Sequence, residues 1–104
     1  MVDGGTEVLC MDSLSGRYYY ASPDEVKSVG NKFNKMILDN GSATVNDYYD
    51  LTEKLKSIEI GDYLFFTANS SRDLVELKLD TCLTKDNRPC LVVRFSRLPM
   101  MMDY

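Results

Sequence analysis

The sequence predicts an α+β fold, a single domain in which an antiparallel sheet of about five strands packs against two helices on one face, in the order β-β-α-α-β-β-β. Two capped amphipathic helices follow one another in the middle of the chain, and β-prone segments lie before and after them. The connections are too short for a doubly wound sheet, and two helices are too many for a sandwich. The globular domain is expected to span residues 6–104, because residues 1–5 have no pattern and are interpreted as a disordered or non-native start.

A β-hairpin is predicted at the start of the domain. Residues 6–11 and 17–21 are β-prone, and the turn formers DSLSG lie between them. Tyr18 and Tyr20 fall on one face of the second strand and Tyr19 on the other, since successive side chains alternate across a strand. At least one tyrosine is therefore expected at the surface or at the rim of the core.

A long helix is predicted to begin at Pro23 and to end near Gly41. Ser22 is a capping residue, and Glu25 follows at the third position after it, as in a capping box. Gly30 lies inside the helix, where it costs about 1 kcal/mol relative to alanine, so a neighbouring element is expected to approach closely there. The apolar stripe consists of Val26, Val29, Phe33, Met36 and Ile37.

A second helix is predicted to begin near Val45 and to continue to about Lys56. Thr44 caps it, and Asp47 is a shortened form of the capping-box acid. A tight turn at residues 61–62 then leads directly into a strand. The apolar side of this helix consists of Val45, Tyr48, Tyr49, Leu51 and Leu55.

Three strands are predicted in the C-terminal half. Residues 63–67 and 90–95 are β-prone, and residues 74–80 alternate between apolar and charged side chains, so one face of that strand is buried and the other solvated. A polar turn at residues 85–88 joins the last two strands into a hairpin.

Composition indicates a soluble globular protein. The chain of 104 residues is 44% apolar and 27% charged, and its formal net charge of −4 disfavours general attraction to nucleic-acid phosphates or anionic lipid. No run approaches the roughly 18 apolar residues of a membrane span, and no secretory signal pattern is present. An odd set of three widely spaced cysteines is typical of a reducing compartment, so a cytoplasmic location with reduced thiols is expected.

The residue types argue against an enzyme. No histidine is present, which removes the usual general base, the usual zinc ligand and the Ser-His and Cys-His nucleophile pairs. Three cysteines cannot complete a tetrahedral zinc site without a further ligand, and the glycines lack the lysine and helix of a phosphate-binding loop. No catalytic residue, metal site or cofactor is therefore predicted.

Two sets of side chains are candidates for binding a partner protein. Asp47, Asp50 and Glu53 recur at every third position, where a cation site is conceivable but a solvated helix face is the favoured interpretation. The apolar tail at residues 98–104 is predicted with equal weight to form a protein interface or to cover an edge strand, and Pro99 argues against a central strand. The complete candidate set is Asp47, Asp50, Glu53, Asp73, Tyr19, Met100, Met101 and Met102.

Four segments, MDSLSGRYYYAS, SATVNDYYDL, IGDY and LTKDNRPCLVVRFSRLP, resemble in order and spacing a family of phage and prophage accessory proteins of Gram-positive bacteria. The resemblance covers roughly residues 8–99. The chain departs from the family pattern after the glycine-aspartate turn, where YLFF replaces leucine-glycine-tryptophan, and at Asn87, which replaces a glycine. The resemblance implies an accessory role in a bacterial host cell and supplies no catalytic residues.

The expected function is contact with another protein. A small, acidic, histidine-free and phage-like chain fits an inhibitor of a host defence system, and anti-CRISPR action is the form to test first. In that case Asp47, Asp50, Glu53 and Asp73 would occupy the basic channel of a nucleic-acid-binding host protein. The alternative is a structural or assembly role in the phage particle, or a homo-oligomer formed through sheet edges and the C-terminal tail.

Overall fold

Two helices and seven strands make up the described part of the chain. The computed structural model describes residues 6–67 and 74–101. The helices are α1 (Pro23–Asn40) and α2 (Val45–Thr52), and within the described residues neither is long and apolar enough to cross a membrane. The strands are β1 (Val8–Asp12), β2 (Tyr18–Ala21), β3 (Ser42–Thr44), β4 (Leu64–Thr67), β5 (Leu77–Leu83), β6 (Pro89–Phe95) and β7 (Met100–Met101), and a short 3₁₀ helix (Glu59–Asp62) precedes β4.

The strands divide between two sheets. The order in the four-stranded sheet is β2-β1-β6-β5, and the order in the three-stranded sheet is β3-β4-β7. The α+β class and the order of the main elements are confirmed, but the single antiparallel sheet that the sequence predicts is instead two sheets, and β1 pairs with β6 in parallel. A parallel pair needs a long connection, which the helical middle of the chain provides. The three residues of β3 are too few to show a strand pattern in the sequence.

The first helix is confirmed at both ends. Ser22 Oγ accepts a hydrogen bond from Glu25 N at 3.1 Å, and Gly41 ends the helix with a φ of +84°. The close approach predicted at Gly30 is also confirmed, since a Cβ placed there would lie 3.0 Å from Leu77 Cδ1. This glycine therefore lets α1 lie close to β5.

The second helix begins as predicted and ends earlier. Thr44 N donates to Asp47 Oδ2 at 2.9 Å, and Asp47 N donates to Thr44 Oγ1 at 3.1 Å, which completes a capping box. The helix ends at Thr52 and does not continue to Lys56, because Glu53 adopts a left-handed conformation with a φ of 59°.

An aromatic cluster joins the two helices to the two sheets. Phe33 meets three rings edge-on, with centroid separations of 5.5 Å to Tyr48, 5.7 Å to Phe66 and 6.5 Å to Phe95. The rings of Phe66 and Phe95 are stacked at 5.4 Å. Phe66 belongs to the three-stranded sheet and Phe95 to the four-stranded sheet, so one apolar core holds both sheets together.

The fifth strand begins later than its alternating pattern predicts. Val75 precedes the strand, and its backbone is bound by a helix side chain: Asn34 Nδ2 donates to Val75 O at 2.7 Å, and Val75 N donates to Asn34 Oδ1 at 2.9 Å. These bonds satisfy the N–H and C=O groups of Val75, which would otherwise bond to a neighbouring strand. The side chain of Val75 is buried in the core nonetheless.

Candidate interaction surface

The structure separates the three acidic residues predicted to form a row on α2. Asp47 is half-buried, and its carboxylate is engaged in the helix cap. Asp50 is exposed in the last part of the helix, whereas Glu53 lies beyond it at the left-handed C-cap. Of the three, Asp50 and Glu53 present exposed side chains, and their contact with a partner stays a prediction. Asp73 lies outside the described residues.

Tyr19 faces the core. Its side chain is 7% exposed and packs in a buried cluster that includes Val26 and Val93. Burial is the main cause that raises the pKa of the Tyr19 phenol. The assignment of Tyr19 to a binding surface is therefore corrected: strand alternation turns it inward and turns Tyr18 and Tyr20 outward, where they are 54% and 49% exposed.

The methionines of the C-terminal tail lie at a sheet edge. Met101 pairs with Leu64 and Met100 with Phe65, so β7 covers one side of β4. Both methionine side chains are more than half exposed. The tail therefore covers an edge strand and also presents apolar side chains to solvent, and its contact with a partner protein stays a prediction. Met102 lies outside the described residues.

Asp12 forms a buried polar network at the end of β1. Its Oδ2 accepts hydrogen bonds from Ser15 N at 3.0 Å, Ser15 Oγ at 2.6 Å and Tyr49 Oη at 2.7 Å. Gly16, with a φ of +74°, closes the turn by donating its N–H to Asp12 O at 2.7 Å. Burial and, after it, the hydrogen bond to Asp12 raise the pKa of Tyr49 to about 12, so the phenol remains a proton donor to the carboxylate at neutral pH.

Arg17 extends this network to the chain that follows α2. Its Nε donates to Ser15 Oγ at 2.9 Å, its Nη1 donates to Lys56 O at 2.8 Å, and its guanidinium lies 4.8 Å from the centre of the Tyr49 ring. Because Asp12 and Tyr49 are both fully buried, their hydrogen bond holds the first hairpin against α2.

Asn46 forms a second group of hydrogen bonds, which links α2 to the 3₁₀ helix that follows it. Its Nδ2 donates to Ile58 O and to Asp62 Oδ1, both at 2.9 Å, and its Oδ1 accepts from Ile58 N at 2.8 Å. Gly61 leaves room for this side chain, since a Cβ there would lie 2.1 Å from Asn46 Oδ1. Asp12, Asn46 and Asp62, the most conspicuous polar residues of the DSLSGR, VNDYYD and IGD segments, therefore serve the fold.

The candidate interaction surface is the side of the four-stranded sheet that faces away from the helices, here called the outer face. It consists of Leu9, Met11, Tyr18, Tyr20, Cys90 and Val92, which the strand register brings together. Cys90 and Val92 are buried, yet they belong to neither of the two core clusters formed with the helices. The alternation within each strand is visible in the sequence, but which side faces the helices is not.

Charged side chains border the outer face. Arg88 Nη2 donates to Tyr20 Oη at 2.7 Å, and Arg94 Nε lies 2.9 Å from Asp80 Oδ2. An open cavity of about 620 Å³ lies between Tyr18, Tyr20 and the turn that joins β5 to β6. An apolar centre with tyrosines and arginines around it is the composition typical of protein interfaces.

The described residues contain no arrangement suited to a metal ion. Within residues 6–67 and 74–101, no group of three or more His, Cys, Asp or Glu side chains is placed to hold one. All three cysteines are free thiols, and two of them, Cys82 and Cys90, lie opposite each other on β5 and β6. Burial is the main cause that raises the pKa of Cys90, and the neighbouring Cys82 thiol is the second cause. Cys90 is therefore a neutral thiol at physiological pH.

Comparison with known proteins identifies a family. A family model described as "Family of unknown function (DUF6353)" matches residues 1–104. The chain belongs to the DUF6353 family. No curated protein and no solved structure gives a significant match to it. The family description assigns no activity, so proposals for the function of this DUF6353 protein depend on the geometry described above.

Proposed function

We propose that the chain is a non-enzymatic, phage-encoded accessory protein that acts by binding another protein through the outer face. The observation that supports this is the exposed pair Tyr18 and Tyr20 beside an apolar centre that no described helix covers. Tyrosine and arginine account for a large share of binding energy in protein interfaces. The motif residues Asp12, Asn46 and Asp47 are engaged in hydrogen bonds inside the fold, which favours the exposed sheet face as the recognition surface.

The charges at the border favour a partner with an apolar patch surrounded by carboxylates. Asp80 is paired with Arg94, which leaves Lys78, Lys85 and Arg88 as positive charges on or beside the outer face, and Asp86 lines the same cavity as the last two. A partner with a basic channel would instead contact Asp50 and Glu53, which lie at the exposed C-terminal end of α2. The helices lie on the opposite side of the sheet, so the two kinds of partner would use different sides of the molecule.

Affinity capture with matched variants distinguishes these surfaces. The bait proteins are the natural chain, an outer-face variant (Tyr18→Ala with Tyr20→Ala) and an acidic-end variant (Asp50→Asn with Glu53→Gln), each exposed to lysate of the bacterial host. We expect at least one host protein to be captured by the natural chain and the acidic-end variant and lost from the outer-face variant. Direct binding of that protein, purified, should then show the same order by isothermal titration calorimetry.

The opposite pattern would contradict the outer-face assignment. A partner retained by the outer-face variant and lost from the acidic-end variant would favour the basic-channel hypothesis. Circular dichroism and the thermal midpoint serve as the folding control for both variants, because exposed side chains away from special features usually change stability by less than about 0.5 kcal/mol.

Inhibition of a host defence system, with anti-CRISPR action first, is the specific case that we propose to test. Its support is the phage-like sequence pattern together with the absence of histidine from the chain. The measurement is transformation efficiency of a plasmid carrying a targeted sequence, in a bacterium with an active CRISPR system, with and without expression of this chain. Restored transformation is expected, and unchanged interference would contradict this case while leaving the binding proposal to the capture experiment.

Self-assembly is the second candidate function, and the edge position of β5 favours it. This seven-residue strand pairs with β6 and, among the described residues, with no strand on its other side. An unpaired edge of that length offers backbone donors and acceptors to another copy. Light scattering over a range of concentrations measures the mass directly, and a monomer at all concentrations would contradict self-assembly.

A further inference from the structure

The two strands of the second hairpin place two cysteines directly opposite each other. Cys82 on β5 and Cys90 on β6 are partners in the antiparallel register. Along two antiparallel strands, hydrogen-bonded and non-hydrogen-bonded residue pairs alternate. The hydrogen bonds at the two ends of these strands, Ser96 N to Glu76 O and Thr84 N to Arg88 O, show which pairs are the hydrogen-bonded ones. Cys82 and Cys90 therefore occupy a hydrogen-bonded position, where paired Cα atoms are about 5.5 Å apart.

This separation suits a disulfide bond. Disulfides join residues whose Cα atoms are roughly 4.4–6.8 Å apart, most often about 5.5–6 Å. Directly opposed residues of a β ladder also point to the same side of the sheet, so both thiols lie on the outer side. Cys82 is exposed and accessible to a reagent, whereas Cys90 is buried beneath its neighbours.

The third cysteine is separated from this pair. Cys10 lies on β1 with its side chain in the cluster between the sheet and the helices, where its thiol donates to Ala21 O at 3.7 Å. Its strand neighbour on β6 is Leu91, not Cys90. Cys10 and Cys90 therefore point to opposite sides of the same sheet and cannot be joined without rearranging the strands.

We propose that Cys82 and Cys90 form a redox modification site, at which a low-molecular-weight disulfide such as oxidised glutathione converts the two thiols into an intramolecular disulfide. The Cys82 thiolate attacks one sulfur of oxidised glutathione, which forms a mixed disulfide and releases one glutathione thiolate. Cys90 then loses its proton to solvent and attacks Cys82 Sγ, which closes the bond and releases the second glutathione thiolate. The two protein thiols lose two electrons and two protons, and the reagent takes up the electrons.

The position of the bond links it to the outer face. Cys90 lies next to Leu9 in the sheet, and Leu9 pairs with Tyr20, so the new bond would extend the same row of side chains. Reduced thiols are the resting state expected in a reducing cytoplasm, where transient disulfides serve as sensors. The oxidation proposal does not depend on the proposed function, since it requires no partner.

The test is oxidation of the purified, reduced chain with a graded ratio of oxidised to reduced glutathione, followed by unfolding in denaturant, alkylation of all free thiols and mass spectrometry. The number of alkylated thiols should fall from three to one, and the mass before alkylation should fall by that of two hydrogen atoms. After digestion with trypsin, peptide 79–85 should be found joined to peptide 86–94. Addition of excess reduced glutathione should restore all three thiols.

Two variants complete the test. Cys10→Ser should still form the bond, and Cys82→Ser, a change at an exposed position, should keep two alkylated thiols under every condition. A persistent glutathione adduct on Cys82, a disulfide between two chains, a bond to Cys10 or no reaction would each overturn the proposal. The folding control is the circular dichroism of each variant, compared with that of the natural chain, and Cys82→Ser alone decides the outcome if Cys10→Ser fails to fold.

Discussion

The two faces of the four-stranded sheet are built from alternate residues of the same strands, yet they differ in almost every property. The inner face contains Asp12, Tyr19 and Val93, packs against both helices and includes the polar network of the sequence motifs. The outer face has Tyr18 and Tyr20 exposed, and no described helix covers it. A strand must alternate its side chains, so a residue one position away in sequence belongs to a different environment.

We therefore expect the two faces to have different roles, the inner face in folding stability and the outer face in binding a partner. The inner face and the aromatic cluster below it are expected to set the free energy of unfolding, because their side chains are fully removed from water. Tyr18 and Tyr20 of the outer face are expected to set binding and to contribute little to the free energy of unfolding, because both are about half exposed. Five measurements test this comparison, and they follow in order of decreasing expected effect.

The largest effect is expected for Phe33→Ala. This substitution removes a ring that meets three others in the core, and the loss should be about 3–5 kcal/mol in the free energy of unfolding. Urea titration followed by circular dichroism measures it. Leu98→Ala, at a side chain that is 83% exposed, is the control and should change the midpoint little. Equal losses in both variants would remove the distinction between core and surface.

A smaller effect is expected for Tyr49→Phe. The variant loses the hydrogen bond to the buried Asp12 side chain, and removing one partner of a buried hydrogen bond costs about 1–3 kcal/mol. The loss should be measurable at neutral pH by the same titration. An unchanged free energy of unfolding would mean that the buried network does not hold the hairpin to α2.

The same variant also tests the pH dependence. The pKa of Tyr49 is raised from 10.0 to about 12 in the folded chain, so its contribution is complete below pH 10 and is lost as the pH rises towards 12, because the unfolded phenol ionises first. Tyr19 and Tyr48 have raised pKa values and act in the same direction. Tyr49→Phe should therefore lose stability less steeply than the natural chain over this range, and parallel curves would contradict the assignment.

A pair of glycine substitutions is expected to give unequal effects. A methyl group at Gly61 would lie 2.1 Å from Asn46 Oδ1, a side chain fixed by backbone bonds, so Gly61→Ala should lose about 1–3 kcal/mol. Gly30→Ala meets the flexible end of Leu77 at 3.0 Å and gains helix propensity of up to about 1 kcal/mol, so its net change should be near zero. Thermal unfolding of the two variants side by side measures this difference, and a larger loss at Gly30 would reverse the interpretation.

The smallest effect on stability is expected for Tyr20→Ala on the outer face. Because Tyr20 is half exposed and receives its hydrogen bond from an exposed arginine, the change should stay within about 0.5 kcal/mol. Binding of a captured partner should nevertheless weaken, by at least tenfold if Tyr20 is a hot spot worth more than about 1.4 kcal/mol. A large loss of stability without loss of binding would show that the outer face serves folding instead.

Much of the local structure could be predicted from the sequence because its causes lie within a few residues. The Ser22 and Thr44 caps, the left-handed glycine after α1 and the close approach at Gly30 all follow from short-range patterns. The premature end of α2 could not be predicted, since Glu53 is an ordinary helix former that here adopts a positive φ.

The candidate surface could not be predicted from any short segment of the sequence. The sequence shows that Tyr18 and Tyr20 lie opposite Tyr19, but the exposed side of the strand is chosen by the helices that cover the other side. For the same reason, the acidic residues chosen from their spacing were only partly available at the surface, since Asp47 is used as a cap.

The amino-acid sequence by itself determined the class of the fold, the helix starts and the alternation of side chains along the strands. Each of these depends on residues one to four positions apart, through helix-capping hydrogen bonds and the spacing of apolar side chains. Tertiary structure alone decided that β1 lies parallel to β6, that Tyr49 reaches Asp12 across 37 positions, and that Cys82 faces Cys90. These pairings are set by how the helices and both sheets pack around one core, and that packing is a property of the whole chain.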